Sequence, residues 1–288
     1  MAERFASVLL EPGAEAEGMA RAEPVDLGSL ESPDLALVEG VPWVVAIEWQ
    51  GGLEQVVLVR GEERQSVWSG ARAWGPRVAV SEAGEVWLAW CGRAEEAGLA
   101  TDIHLMRVGG EPRQVSVGGE RSCQPDLVLD GQGRPQLAWE EDRRIATWSE
   151  ERGVELHSEA WLARRPALLW VEGRLWLAWD EILELRRTGA SDPSTRVVLR
   201  SWTEEGGWGA LRVVEHPEGI AAAPRLLPHP TGVMVAYHRS LPMGVVKWPA
   251  LRLVLDDAVL EAAPLEVPEP TGENQGAEFP EPTLLPGG

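Results

Sequence analysis

Apolar residues recur along the chain in one phrase that returns five times. Each phrase begins with Pro, continues through a short apolar stretch and a Gly-containing turn, and closes with a second apolar run. Two short apolar runs joined by such a turn predict a β-hairpin. No segment keeps the 3.6-residue period of an amphipathic helix. The phrases start at Pro33, Pro76, Pro125, Pro166 and Pro224.

The second run of each phrase predicts a strand that is buried on both faces. In VWLAW (86–90) successive side chains point to opposite faces, and all of them are apolar. A sheet with one face in water would alternate between apolar and polar residues. Radially stacked four-stranded sheets bury both faces, and two weaker strands after each hairpin complete each sheet. The pattern therefore predicts an all-β propeller with most Trp residues packed between blades.

The two ends of the chain supply pieces of a further, incomplete blade. Residues 282–288 repeat the opening of the fifth phrase, and segment 5–28 offers two outer strands. Pairing these segments in one sheet would remove open strand edges. One strand of this blade has no evident source, so it could accept a strand from a partner. We predict a single six-bladed β-propeller domain over 1–288, with complete blades near 33–70, 76–118, 125–160, 166–216 and 224–267 and a closing blade of 282–288 plus 5–28.

Composition narrows the classes of partner. The 288 residues carry a formal charge of −20, which disfavours binding to nucleic acid. No apolar run is long enough to cross a membrane, and the N-terminus lacks the features of a signal peptide, so we expect a cytoplasmic location. The two cysteines are expected to be free and buried. No Cys/His cluster has zinc spacing and no nucleotide-binding motif occurs, so neither a metal nor a cofactor is predicted.

One turn carries the trace of a known repeat motif. The segment SWTEEGGW places Ser201, Gly206 and Trp208 near the positions of a Ser-x-Asp-x-Gly-x-x-Trp box, with Thr-Glu-Glu in place of the Asp. A fainter trace, WSEERG, spans 148–153 and lacks the closing Trp. With its Pro-opened first strand and aromatic-ending second strand, the repeat resembles the blade of the sialidase-like, or BNR-repeat, six-bladed propellers.

The resemblance implies an arginine triad, a Tyr nucleophile supported by Glu, and an Asp acid/base if the chain were a sialidase. The single tyrosine, Tyr237, occupies the repeat position of Trp90, Trp139 and Trp179, which indicates a core aromatic. The early Arg-Ile-Pro motif of that family is also absent. Sialidase activity is therefore disfavoured.

Charged residues concentrate at one end of the predicted blades. The starts of first strands and the residues after second strands share that end, and three of its loops are long: 91–101, 180–195 and 238–244. Long loops on a rigid scaffold are frequent binding sites. Solvated rim residues are the alternative explanation for these charges. The candidate binding face comprises Arg77, Asp126, Glu140, Arg165, Asp180, Arg225 and His238.

Because no complete catalytic set is evident, we predict a non-catalytic propeller that recognises a protein or a glycan through this face. A glycan partner would require exposed aromatic residues for stacking on sugar rings. The candidates are Trp68, Trp74, Trp161 and Trp248. The alternative is a glycoside hydrolase or lyase of the sialidase-like superfold that uses rim carboxylates such as Glu140 and Asp180.

Overall fold

The computed structural model describes residues 30–94, 98–117, 121–158, 160, 162–182, 195–215, 220–240, 248–255 and 258–261. The chain divides into two units, residues 29–265 and a second unit made of 1–28 and 266–288. The second unit, with the predicted closing blade, lies outside the described residues. In the described part, all regular structure is β-strand. A helix long and apolar enough to span a membrane is not found there.

Three four-stranded antiparallel sheets come first along the chain. In each of them, strands adjacent in sequence are also adjacent in the sheet. The first contains β1 (Glu31–Val38), β2 (Val41–Gln50), β3 (Leu53–Arg60) and β4 (Glu63–Gly70). The second contains β5 (Arg72–Val80), β6 (Val86–Arg93), β7 (Asp102–Arg107) and β8 (Arg113–Gln114). The third contains β9 (Ser122–Leu129), β10 (Pro135–Glu141), β11 (Arg144–Ser149) and β12 (Gly153–Leu156).

Two further antiparallel sheets meet at one parallel pairing between Thr195 and Ile220. The fourth contains β13 (Leu162–Val171), β14 (Arg174–Ile182) and β15 (Thr195–Thr203), and β15 also pairs with both β16 (Gly207–Trp208) and β17 (Arg212–Glu215). The fifth contains β18 (Ile220–His229), β19 (Gly232–Ser240), β20 (Trp248–Leu255) and β21 (Ala258–Glu261).

A hydrophobic core lies between each pair of consecutive sheets. Val86, Leu88 and Trp90 of β6 pack toward the first sheet, whereas Ala89 packs toward the third. The repeated aromatic has this role in every later sheet: Trp139, Trp179 and Tyr237 each face the preceding sheet and are nearly or wholly buried. The prediction of Tyr237 as a core aromatic is confirmed. The all-β prediction is also confirmed, with antiparallel four-stranded sheets consistent with a propeller-like fold.

Every first strand carries a β-bulge at its proline. The strands begin before the prolines, and the pairing register shifts there in β1, β5, β9, β13 and β18. The residue before each proline has a positive φ, between 49° and 55°. A bulge bends the strand and redirects the side chains that follow. The residues before the five prolines are Ser32, Gly75, Gln124, Arg165 and Ala223.

Arginine–tryptophan contacts join neighbouring sheets at their outer strands. Arg113 of the second sheet lies 4.8 Å from the ring centroid of Trp148 in the third. Arg152 of the third sheet repeats the contact at 4.2 Å from Trp202 in the fourth. Trp202 pairs across the turn with Trp208, the last residue of the SWTEEGGW segment. This segment thus has a packing role in the structure.

Candidate functional site

The residue after each bulge proline occupies the same position in all five sheets. We call these five residues the post-proline row. Its first three members are charged and in contact with the neighbouring first strand. The Asp34 carboxylate accepts a hydrogen bond from the backbone N–H of Val78 at 2.8 Å. The row consists of Asp34, Arg77, Asp126, Ala167 and Arg225.

Asp126 makes the same kind of contact two sheets further along the chain. Its Oδ2 accepts a hydrogen bond from the Leu168 N–H at 2.6 Å. Its Oδ1 lies 3.3 Å from Nε of Arg77, and the two side chains are 22% and 27% exposed. The strands β1, β5 and β9 therefore place two carboxyl groups on either side of one guanidinium, with access to solvent.

The two aspartates of the post-proline row have different surroundings. Burial raises the pKa of Asp34, and the negative charge of Asp126 adds to this effect. The positive charge of Arg77 and the N–H of Val78 oppose the rise without cancelling it. Asp126, in contrast, has Arg77 as a direct ionic partner. One carboxyl thus has a raised pKa, whereas the other has a counter-charge in direct contact.

Glu140 and Asp180 form a second row, at the ends of β10 and β14. Both accept a hydrogen bond from the bulge residue of the next sheet: Glu140 from Arg165 N at 2.8 Å, and Asp180 from Ala223 N at 3.1 Å. Burial raises the pKa of Glu140, with Asp180 contributing to the increase, while the Arg165 N–H and the Arg121 charge oppose it.

Asp180 is fully occupied as an ion-pair partner. Its side chain is wholly buried, and both oxygens bond to the Arg165 guanidinium, at 2.7 and 2.9 Å. Arg164 adds a contact at 3.4 Å. A carboxylate with no exposed surface and this many donors cannot reach a substrate. The contacts of Asp180 are therefore those of a structural carboxylate, whereas the sequence pattern paired it with Glu140 as a candidate catalytic residue.

Cys123 lies beside Glu140, Cys91 lies near Cys123, and the two cysteines form no disulfide. The Cys91 thiol donates to the Ser122 carbonyl at 3.0 Å, and the Cys123 thiol lies 3.7 Å from the Glu140 carboxylate. Burial and the Glu140 charge raise the pKa of Cys123 to about 11, and burial raises that of Cys91 further. Both residues remain thiols at neutral pH and are poor nucleophiles.

The other predicted residues are spread over the described sheets. Arg225 is exposed and donates a hydrogen bond to the carbonyl of the preceding residue, Pro224. His238, on β19, is half-buried. Trp68 and Trp74 are half-buried and pack against the cores that flank the second sheet. Trp161 and the side chain of Trp248 lie outside the described residues. Within those residues, no group of three or more His, Cys, Asp or Glu side chains could hold a metal ion.

Two residues that are not among the predicted candidates stand out, and the first, Asp34, belongs to the charged end of the predicted blades. Asp34 and Asp126 both stand in the tripeptide Pro-Asp-Leu, and this repeat is the sequence feature that indicates their equivalent positions. Trp49 is 62% exposed and is the single exposed tryptophan among those whose side chains are described. In the sequence, the position of Trp49 between the polar residues Glu48 and Gln50 is the feature that indicates its exposure.

The chain resembles solved structures of glycoside hydrolases. A thermostable family-43 glycoside hydrolase matches with 12% identity and a TM-score of 0.45, over 86% of this chain and 97% of the other. An endo-1,4-β-xylanase from Bacteroides thetaiotaomicron matches with 12% identity and a TM-score of 0.46, over 82% and 95%. An α-L-arabinofuranosidase from Lactobacillus brevis matches with 10% identity and a TM-score of 0.46, over 80% and 92%. No protein-family model and no curated protein matches the chain.

These findings correct the functional prediction. The comparisons contradict the non-catalytic binding module predicted from sequence and agree better with its glycoside hydrolase alternative: most of the similar structures are glycoside hydrolases, and one is a putative TolB. The likeness to BNR-repeat propellers is not confirmed, since no family model matches.

Proposed function

We propose that this protein is a glycoside hydrolase in which Asp34 is the general acid and Asp126 is the second catalytic carboxyl group. The observation that carries the proposal is the unlike setting of two carboxyls at one repeat position. Glycoside hydrolysis needs such a pair, with one group protonated to assist the leaving oxygen and the other charged.

The hydrogen bonds of Asp34 suit a proton donor. Its Oδ2 accepts the Val78 N–H and the Leu35 N–H also bonds to the carboxyl group, so the group is held in place while one of its oxygens carries the proton for a glycosidic oxygen. Burial maintains the protonated form at a higher pH than an exposed aspartate allows. The side chain keeps part of its surface exposed, so a substrate can approach it.

The contacts of Asp126 suit a carboxylate that acts from a fixed position beside the acid. Leu168 N and Arg77 bind its two oxygens from different sides, so its position and orientation are held. In this role Asp126 attacks the anomeric carbon or activates a water molecule, according to its separation from the acid. Arg77 is a positioning residue that neutralises charge between the two carboxyls.

Hydrolysis by single-residue variants tests the proposal. The panel contains aryl α-L-arabinofuranosides, aryl β-xylosides, arabinan and xylan, which cover the enzyme classes named for the similar structures. Asp34→Asn and Asp126→Asn should each reduce kcat/KM by about 10²-fold or more. Glu151→Gln, at an exposed carboxylate in the third sheet, is the matched control. The proposal fails if the wild-type protein hydrolyses nothing, or if both variants retain full activity.

External nucleophiles separate the roles of the two carboxyls. If Asp126 attacks the sugar directly, azide should restore turnover to Asp126→Ala on an aryl glycoside. Asp34→Ala should respond mainly to the leaving group, with a smaller loss on good leaving groups such as dinitrophenolate. A leaving-group dependence in Asp126→Ala and not in Asp34→Ala would reverse the assignment.

We also propose that residues 5–28 and 282–288 form a sixth sheet that completes the propeller. In the described residues the first strands β1, β5, β9, β13 and β18 each pack against the next, but β18 has no comparable packing against β1. A chain that ends at Glu281 should then unfold at a lower temperature than the full chain. An unchanged midpoint would mean that these segments do not close the fold.

A further inference from the structure

We propose that Trp49 is a stacking platform for a neutral glycan chain that extends from the Asp34–Asp126 pair. This inference rests on the proposed function and names its substrate class. The exposure of Trp49 is unusual in this protein, because the other tryptophans with described side chains are buried or half-buried. An exposed indole carries a large apolar area that a ligand can cover.

Strand geometry places Trp49 at the same end of the sheets as the post-proline row. Asp34 pairs with Val45 on β2, and Trp49 follows Val45 by four residues toward the end of that strand. At about 3.3 Å per residue, the platform lies roughly 13 Å along the strand from the proposed acid. That separation suits a sugar unit beyond the cleaved bond rather than the reacting unit itself.

The pairing of Trp49 shows which way it faces. Trp49 lies directly opposite Glu54 on β3, so the two side chains share one face of the first sheet. Glu54 accepts a hydrogen bond from Ala73 N at 2.6 Å and pairs with Arg72 at 3.3 Å, both on β5. Trp49 therefore faces the second sheet, the one that carries Arg77 next to the two aspartates.

Polar side chains border the indole as they would border a sugar ring. Glu48 and Gln50 point to the other face of β2, so the polar neighbours on this face are Glu54, directly opposite Trp49, and its exposed partner Arg72. These groups can bond to hydroxyls while the indole covers a C–H face. The charge of −20 on the whole chain repels polyanions, which favours a neutral glycan over a polyuronate.

Affinity electrophoresis in gels that contain a polysaccharide tests the platform separately from catalysis. The probes are arabinan, xylan, hydroxyethyl cellulose and polygalacturonate, and the protein is the Asp34→Asn variant, so that the probe is not consumed. We expect one neutral polysaccharide to retard migration, Trp49→Ala to reduce the retardation at least fivefold, and Trp49→Phe to retain most of it. Leu156→Ala, at an exposed apolar residue of β12, should change nothing.

The outcomes distinguish the platform from the proposed function. Equal retardation of Trp49→Ala and its parent, retardation by polygalacturonate alone, or no retardation by any probe would overturn the platform. In the protein that retains Asp34, Trp49→Ala should raise KM on the polysaccharide at least fivefold and leave kcat/KM on a short aryl glycoside unchanged. Loss on both substrates would also contradict the platform, whereas absence of hydrolysis by the wild-type protein would refute the proposed function alone.

Discussion

Replacing Asp180 with Ala separates a carboxylate that holds the fold from one that performs chemistry. The wild-type side chain is wholly buried and bonds to Arg165, Arg164 and the Ala223 N–H. The variant leaves two guanidinium groups without their carboxylate and one backbone N–H without its acceptor. Because Ala223 belongs to β18 and Asp180 to β14, the loss also weakens the junction between the fourth and fifth sheets.

The loss of stability in Asp180→Ala depends on how exposed the groups are that lose their partner. Breaking a buried ion pair costs about 3–5 kcal/mol when the remaining charge stays buried. Arg165 and Arg164 are 32% and 34% exposed, so water solvates them in part and lowers this cost. With the lost backbone hydrogen bond included, we expect the free energy of unfolding to decrease by about 3 kcal/mol. In a domain of this size, that corresponds to a decrease of roughly 6–12 °C in Tm.

Thermal and urea unfolding, followed by circular dichroism, measure the change. Glu151→Ala is the matched control, because it removes an ion pair to Arg134 in which the Glu151 side chain is 57% exposed, and it should cost less than about 1 kcal/mol. Well below its Tm, Asp180→Ala should keep kcat/KM within a few-fold of the wild-type value. Wild-type stability combined with a large loss of hydrolysis would refute the reasoning and make Asp180 a catalytic residue.

Three further predictions concern charge and backbone strain. Because the Arg77 charge lowers the pKa of Asp34, Arg77→Gln should raise that pKa and move the alkaline limb of the kcat/KM profile to higher pH, and an unmoved limb would exclude Asp34 as the acid. Burial and the nearby arginines lower the pKa of His157 from 6.5 to about 3 in the folded protein. As the pH falls, the unfolded chain therefore binds a proton at His157 before the folded chain does. Stability measured in urea should therefore decrease from about pH 6.5 toward pH 3, and His157→Gln should decrease less; equal decreases would contradict this origin. Ala223→Gly, at a φ of 55°, should raise the free energy of unfolding by up to about 1 kcal/mol, and a decrease would show that the bulge is not strained by Ala.

The apolar residues on both faces of the predicted strands indicate most of the architecture. In VWLAW both faces are apolar, and the structure buries Trp90 on one side of the second sheet and Ala89 on the other. This could be read from sequence because side chains alternate in any strand, and because only stacked sheets cover both faces. The sixth sheet stays a prediction, since its segments lie outside the described residues.

The environment of each carboxyl was decided by tertiary structure alone. Glu140, Asp180, Asp34 and Asp126 all have the positions in the repeat that the sequence indicates, but their exposure and partners depend on neighbouring sheets. Arg165 reaches Asp180 from the adjacent strand and removes it from solvent, whereas Arg77 leaves the Asp34–Asp126 pair partly open. Burial and counter-charge arise from residues that are distant in sequence, so no local pattern distinguishes a structural carboxylate from a candidate acid.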